Sequence, residues 1–132
     1  MTPHETGVLG ETAVCYYLEA LGYRVLDRNF RIRGGEIDIV ALHGDVLCFV
    51  EVKTRRLGTQ STGQEAVGRR KRHHLIRAAY AYCEAHGIRE EDYFLRYDIA
   101  EVTVQGSTLL GIDYLESAFD ETDFHDNNTN FF

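Results

Sequence analysis

Residues 36–53 constrain this chain more than any other stretch: two runs of alternating apolar residues, Glu36 to Leu42 and Val46 to Lys53, flank His43-Gly44-Asp45. β-formers in period two, interrupted by a Gly-Asp pair, specify a hairpin. With Gly44-Asp45 as the loop, His43 faces Val46 and the pairing is set along both strands. Asp38 then opposes Glu51, and Glu36 opposes Lys53, on one face that continues toward the turn as Val40 and Leu42 against Leu47 and Phe49. The other face is wholly apolar, with Ile37, Ile39 and Ala41 against Val46, Cys48, Val50 and Val52. A slip of one residue would set Asp38 against Val50 and mix the faces, so the pattern selects this register.

The hairpin carries a chemical signal as well. Two opposed carboxylates about 5 Å apart repel by roughly 3 kcal/mol at an effective dielectric of about 20, so a fold that keeps them there needs compensation. A divalent cation supplies it, and Lys53 at the same end supplies part of it; both readings stand on the hairpin alone. Glu11 lies three residues before Val14 and seven before Leu18, on the inward stripe of a helical stretch where an apolar residue is expected. A carboxylate aimed at a core wants a partner. Gly7 and Gly10 in the same stretch signal either close approach of the backbone or a fraying helix start. Lys71 shows the same anomaly in a second helical stretch, four residues from both Val67 and Leu75, with Gln64 seven residues earlier. Both could reach the acidic end of the hairpin, and a snorkelling lysine and a surface glutamine are the plainer readings of the two.

The order of patterns is α-β-β-β-α-β-β: a helix over 7–21, strands over 23–32, 36–42 and 46–53, a helix over 64–86, and strands over 93–104 and 108–115. This predicts an α/β fold, a mixed sheet with helices packed on it. A chain of 132 residues, 44% of them hydrophobic, suffices for one such domain. The domain is expected to span 1–115, followed by an acidic, disordered tail over 116–132. Cys15, Cys48 and Cys83 are odd in number and set among apolar neighbours, which encodes neither a disulfide framework nor a zinc site. With no secretory pattern and no long apolar run, a cytoplasmic protein without a membrane partner is expected.

The net charge of −7 argues against a nucleic-acid partner until its distribution is considered. After Leu115 there are five acids and no Lys or Arg, whereas the stretch from Lys53 to Arg77 holds eight basic residues and the single acid Glu65. That stretch is a candidate phosphate-facing patch or a solvated basic face.

The motifs then resemble a known family. Gly10-Glu11 with Ala13 and Tyr17-Leu18, Gly22-Tyr23, Arg28-Asn29-Phe30-Arg31, Gly35-Glu36-Ile37-Asp38-Ile39-Val40-Ala41, Phe49-Val50-Glu51-Val52-Lys53-Thr54-Arg55, Lys71 and Arg96-Tyr97-Asp98 are similar to those of the YraN-like bacterial proteins. That family sits within the restriction-endonuclease-like PD-(D/E)xK superfamily, and the arrangement is also similar to archaeal-type Holliday-junction resolvases. The resemblance implies a restriction-endonuclease-like sheet in which Glu11, Asp38 and Glu51 bind Mg²⁺ or Mn²⁺ with the Val52 carbonyl, while Lys53 orients the attacking water. Glu36, Gln64 and Lys71 are expected auxiliaries, and Arg55, Arg56, Arg69, Arg70 and Arg72 are expected to hold a nucleic-acid backbone, DNA in the first instance, without reading sequence. Ile37 stands where the superfamily often has Pro. A metal-dependent DNA nuclease, acting on branched or repair intermediates, is the leading expectation; a non-catalytic nucleic-acid-binding module and a protein-interaction scaffold are the others. Junction resolution by paired cuts would call for a homodimer.

Three other patterns carry little. Gly63 to Gly68 has phosphate-loop spacing, but Arg69-Arg70 replaces the required Lys-Ser/Thr. His73 and His74 are adjacent and point to different sides of a helix, and Cys83 with His86 is half a metal site.

Overall fold

The computed structural model describes residues 2–58 and 68–120. Among these, α1 (Pro3–Ala20), β1 (Arg24–Ile32), β2 (Gly35–His43), β3 (Val46–Arg56), α2 (Arg69–Ala85), a short 3-10 turn at Glu90–Asp92, β4 (Phe94–Gln105) and β5 (Thr108–Phe119) follow in the expected order. The five strands lie in chain order in one mixed sheet, with β3 and β4 parallel and the other neighbours antiparallel. A parallel pair needs a crossover, which is the part of the chain that contains α2.

α1 starts before the expected Gly7. Pro3 opens it, and Thr2 and Glu5 form a reciprocal cap, Thr2 Oγ1 accepting from the Glu5 N–H at 3.1 Å and Glu5 Oε1 from the Thr2 N–H at 2.7 Å. α1 places Val14 and Leu18 against Ile39, Ala41, Cys48, Val50, Ala100 and Val102 on one face of the sheet. On the other face α2 sets Leu75, Ala79 and Tyr82 against Val40, Leu47, Phe49, Tyr97 and Ile99. All three cysteines are free and buried.

The hairpin has the expected register, from His43 opposite Val46 to Ile39 opposite Val50. At the other end of the sheet β5 continues past Leu115, the strand end expected, to Phe119, so residues 116–119 belong to the sheet. Phe119 is buried and stacks on Tyr97 with ring centroids 5.6 Å apart. The signal was hidden because β5 does not run regularly there: its pairing to β4 shifts between Ile99/Leu115 and Tyr97/Phe119, and Ser117 takes a φ of 50°. Fully buried Asp98 fastens this irregular stretch, accepting from the Ser117 N–H at 2.9 Å and the Tyr114 hydroxyl at 2.6 Å. Residues 121–132 of the expected tail, and Gln64, lie outside the described residues. No helix among the described residues is long and apolar enough to cross a membrane.

Candidate active site

The hairpin does not stay paired to its open end. Beyond Ile39/Val50 its regular pairing stops, while β2 continues with β1 as far as Ile32/Gly35 and β3 continues with β4 as far as Arg56/Val104. Each strand keeps its outer neighbour and leaves its inner one, and Asp38 and Glu51 stand in the fork. Asp38 bridges it in place of the ladder, its Oδ2 accepting from the Val52 N–H at 2.7 Å.

The fork also corrects the expected faces. Ile37 packs in the α2 core and Ile39 in the α1 core, so the single apolar face predicted for Ile37, Ile39 and Ala41 breaks at Asp38. In the register that joins Arg28 to Ile39 and Phe30 to Ile37, Asn29 faces Asp38 and holds a φ of 54°. A left-handed residue there interrupts the regular twist of the strand pair, and Asn tolerates that conformation better than most residues.

Two glycines bring the helices onto the fork. A Cβ at Gly10 would collide with the Thr54 side chain, lying 3.2 Å from its Cβ, so α1 sits directly on β3 and Glu11 is delivered beside the hairpin. Gly7 has nothing within 4 Å, so close approach explains one of the two glycines. On the other side a Cβ at Gly35 would fall 2.6 Å from the His74 carbonyl oxygen. That contact seats α2 on the start of β2 and lets Lys71, one turn earlier, reach Glu51 at 3.0 Å.

Asp38 and Glu51 are each 6% exposed. Burial, followed by the charge of Glu51, pushes the Asp38 carboxyl up to about 7 against the pull of the Val52 N–H. Burial raises Glu51 as well, opposed chiefly by Lys71. Two buried anions side by side cost more than one, so the pair resists full ionisation.

The expected residues divide as follows. Asp38, Glu51 and Lys71 come together. Glu11 stands at the edge of the group, where Arg28 Nη2 at 3.5 Å and Asn29 Nδ2 at 3.2 Å engage Oε1. Glu36 pairs with Arg31 at the rim. Lys53 is half-buried next along the Glu51 strand, in register with Glu101 of β4, and Val52 contributes its N–H to Asp38. Arg55, Arg69 and Arg70 are exposed. Arg56 donates to Thr6 Oγ1 at 2.9 Å, and Arg72 lies over the Phe119 ring at 5.4 Å, so both help hold the fold as well as adding charge. The residues whose roles went unassigned are Arg28, Asn29 and Arg31; their motif was visible, but no spacing rule ties a β1 turn conformation to an acid on α1.

The donor set suits a hard divalent cation. Mg²⁺ is held by one or two protein carboxylates with waters and substrate phosphates completing its shell, and Asp38 with Glu51 offers such a pair. Their shortage of compensating donors is what a cation would relieve. Among the described residues no three His, Cys, Asp or Glu side chains converge into a ready-made cage, so Glu11 does not join the pair in this arrangement. Beside the fork opens a groove of about 360 Å³ lined by Arg31, Ile32, Gly35, Glu36, Lys71 and His74.

Residues 10–102, which include the fork and both strands of the hairpin, match the Uncharacterised protein family UPF0102. The chain is 42% identical over 113 residues to a UPF0102 protein of Alkaliphilus oremlandii, covering 86% of this chain and 96% of that one. It is also 42% identical over 114 residues to one from Geobacter sulfurreducens, covering 86% and 88%, and 45% identical over 100 residues to one from Chlorobaculum parvum, covering 76% of each.

Proposed function

Since this chain belongs to family UPF0102, as the YraN-like character of its motifs leads one to expect, we propose that it is a metal-dependent nuclease hydrolysing phosphodiester bonds in DNA. The observation that carries the reading is the buried Asp38–Glu51 pair in the fork between β2 and β3. A fold gains little from two adjacent buried acids, one of them held by a single backbone N–H, whereas a cation site needs them. The superfamily arrangement of the motifs adds support, with Asp38, Glu51 and Lys53 at the positions that give PD-(D/E)xK its name.

Mg²⁺ or Mn²⁺ bound here would supply an activated water and positive charge facing the phosphate oxygens. Asp38 and Glu51 would hold that ion, and the Val52 N–H fixes the Asp38 carboxylate. Lys53 orients the attacking water and offsets the charge that grows on the phosphoryl oxygens. Glu11 adds negative charge at the outer edge of the site from α1. Arg55, Arg69 and Arg70 hold the DNA backbone from the exposed surface, which gives affinity without sequence choice. Branched recombination or repair intermediates are the substrate class that the motifs suggest.

Cleavage of labelled four-way junction, flap, single-stranded and linear duplex DNA with Mn²⁺ tests the reading, with wild type beside Asp38→Asn. Cleavage by wild type that the variant loses is expected; DNA left uncut in every form would contradict it. One observation favours a second reading, a nucleic-acid-binding module that does not cut: Arg28 and Asn29 engage Glu11 away from the pair. Uncut DNA with salt-dependent binding intact would select it.

A further inference from the structure

The groove beside the fork is lined by Arg31, Lys71 and His74 together with Glu36, Ile32 and Gly35, and acids of the hairpin hold its arginine and its lysine. Arg31 pairs with Glu36, and Lys71 pairs with Glu51 at 3.0 Å. The Lys71 side chain is 61% exposed whereas that of Glu51 is 8%, so the ammonium reaches into the fork from a solvated stem. A flexible four-carbon stem of that kind re-aims its charge at little cost. Lys71 and Arg31 both line the groove, together with His74. Lys71 thus stands on the boundary between the acidic pair and the groove, and is the chief charge offsetting the burial of Glu51.

We propose that this groove binds a backbone phosphate of the nucleic acid and that Lys71 enters it by exchange. A divalent ion at Asp38 and Glu51 takes over the compensation of Glu51; repulsion between that ion and the ammonium releases Lys71, which turns to the phosphate beside Arg31 and His74. The inference rests on the nuclease reading above and adds to it a second phosphate contact and a reason for one binding event to await the other. Metal and DNA then strengthen each other's binding by the same factor, as linkage requires.

The test uses the full chain, Ca²⁺ as the ion and a fluorescently labelled single-stranded oligonucleotide whose integrity is checked on a gel. Three quantities are read: Ca²⁺ affinity without DNA by calorimetry, DNA affinity without Ca²⁺, and DNA affinity with saturating Ca²⁺ by anisotropy. Wild type is expected to bind DNA about tenfold more tightly with Ca²⁺, a typical coupling between two sites. Lys71→Met is expected to bind Ca²⁺ more tightly than wild type, because the competing ammonium is gone, and to lose most of the DNA gain. Arg77→Met, which removes one charge from the same helix, controls for the general change in potential and should leave Ca²⁺ affinity within about twofold. The double variant Arg31→Ala with His74→Ala should lose DNA affinity in Ca²⁺ while keeping Ca²⁺ affinity. Ca²⁺ affinity unchanged or weakened in Lys71→Met, or a DNA gain indifferent to both Lys71→Met and the double variant, overturns the exchange and leaves the nuclease reading standing. No Ca²⁺ binding by wild type, or binding indifferent to Asp38→Asn, overturns both together.

Discussion

Asp98 and the Asp38–Glu51 pair are buried acids of one sheet, and their surroundings differ in kind. Asp98 takes three hydrogen bonds from Arg96 at 3.0 to 3.2 Å, one from the Tyr114 hydroxyl and one from the Ser117 N–H, and it is 0% exposed. Arg96 in turn donates to the Tyr23 hydroxyl at 2.6 Å and lies over that ring, so the network ties β4 and β5 to the chain just after α1. Burial, reinforced by the charge of Asp98, raises the Tyr114 hydroxyl well above its ordinary value, which keeps it a donor. Asp38 has one backbone N–H and an acidic neighbour. The first site is complete without any partner, and the second asks for one. Burial of a carboxylate therefore says little about its use; the count of donors around it says more.

That contrast is broken or sharpened most strongly at Asp98. Asp98→Ala would strand the Arg96 guanidinium beside the sheet with its main partner gone, and a loss of about 3–5 kcal/mol is expected in urea melts. A loss under about 1 kcal/mol would make the two sites alike. Asp38→Asn should move the other way, gaining about 1–3 kcal/mol at pH 8 without divalent ions, since the amide still accepts from Val52 and no anion is buried. The sign follows from the raised pKa. The native state holds its proton more tightly than the unfolded chain, so this group's contribution to stability is fully present below the ordinary value of 3.8 and is lost as pH rises through about 7. Wild type should fall in stability between pH 5 and 8 relative to Asp38→Asn, on the order of the same few kcal/mol, measured by thermal melts across that range. Parallel pH profiles for the two proteins would remove the strained pair from the account. The smallest effect compares two glycines of α1. Gly7→Ala is expected to stabilise by about 0.5–1 kcal/mol, whereas Gly10→Ala should destabilise by about 1–3 kcal/mol, because its methyl meets Thr54 and pushes Glu11 away from the fork. Equal effects at the two positions would mean that α1 is not held against β3 by close approach.

The parts legible in the sequence are those that local rules govern. Alternation and a two-residue turn set the hairpin from His43/Val46 to Ile39/Val50, and helical spacing singles out Glu11 and Lys71, although Lys71 is exposed and reaches Glu51 with its tip rather than lying on a packed stripe. Less legible was everything decided by a third element. The parting of β2 from β3 at Asp38 depends on β1 and β4 each keeping its partner, and the shift of Ile37 to the other core depends on the turn of the strand opposite Asn29. Phe119 belongs to the core because Asp98 captures an irregular loop of β5, which no periodicity announces. Arg56 and Arg72 read as phosphate contacts by charge alone, and their contacts with Thr6 and Phe119 emerged only from packing.

The claim at the centre is that Asp38 and Glu51 form a cation site, and calorimetric titration of the protein with Mg²⁺ and Mn²⁺ at pH 7 tests it most directly. The account predicts binding by wild type accompanied by release of a proton from the acidic pair, seen as a heat that changes with the ionisation enthalpy of the buffer, and loss of both in Asp38→Asn. Absence of binding in wild type, or binding that survives Asp38→Asn with no proton released, would contradict it.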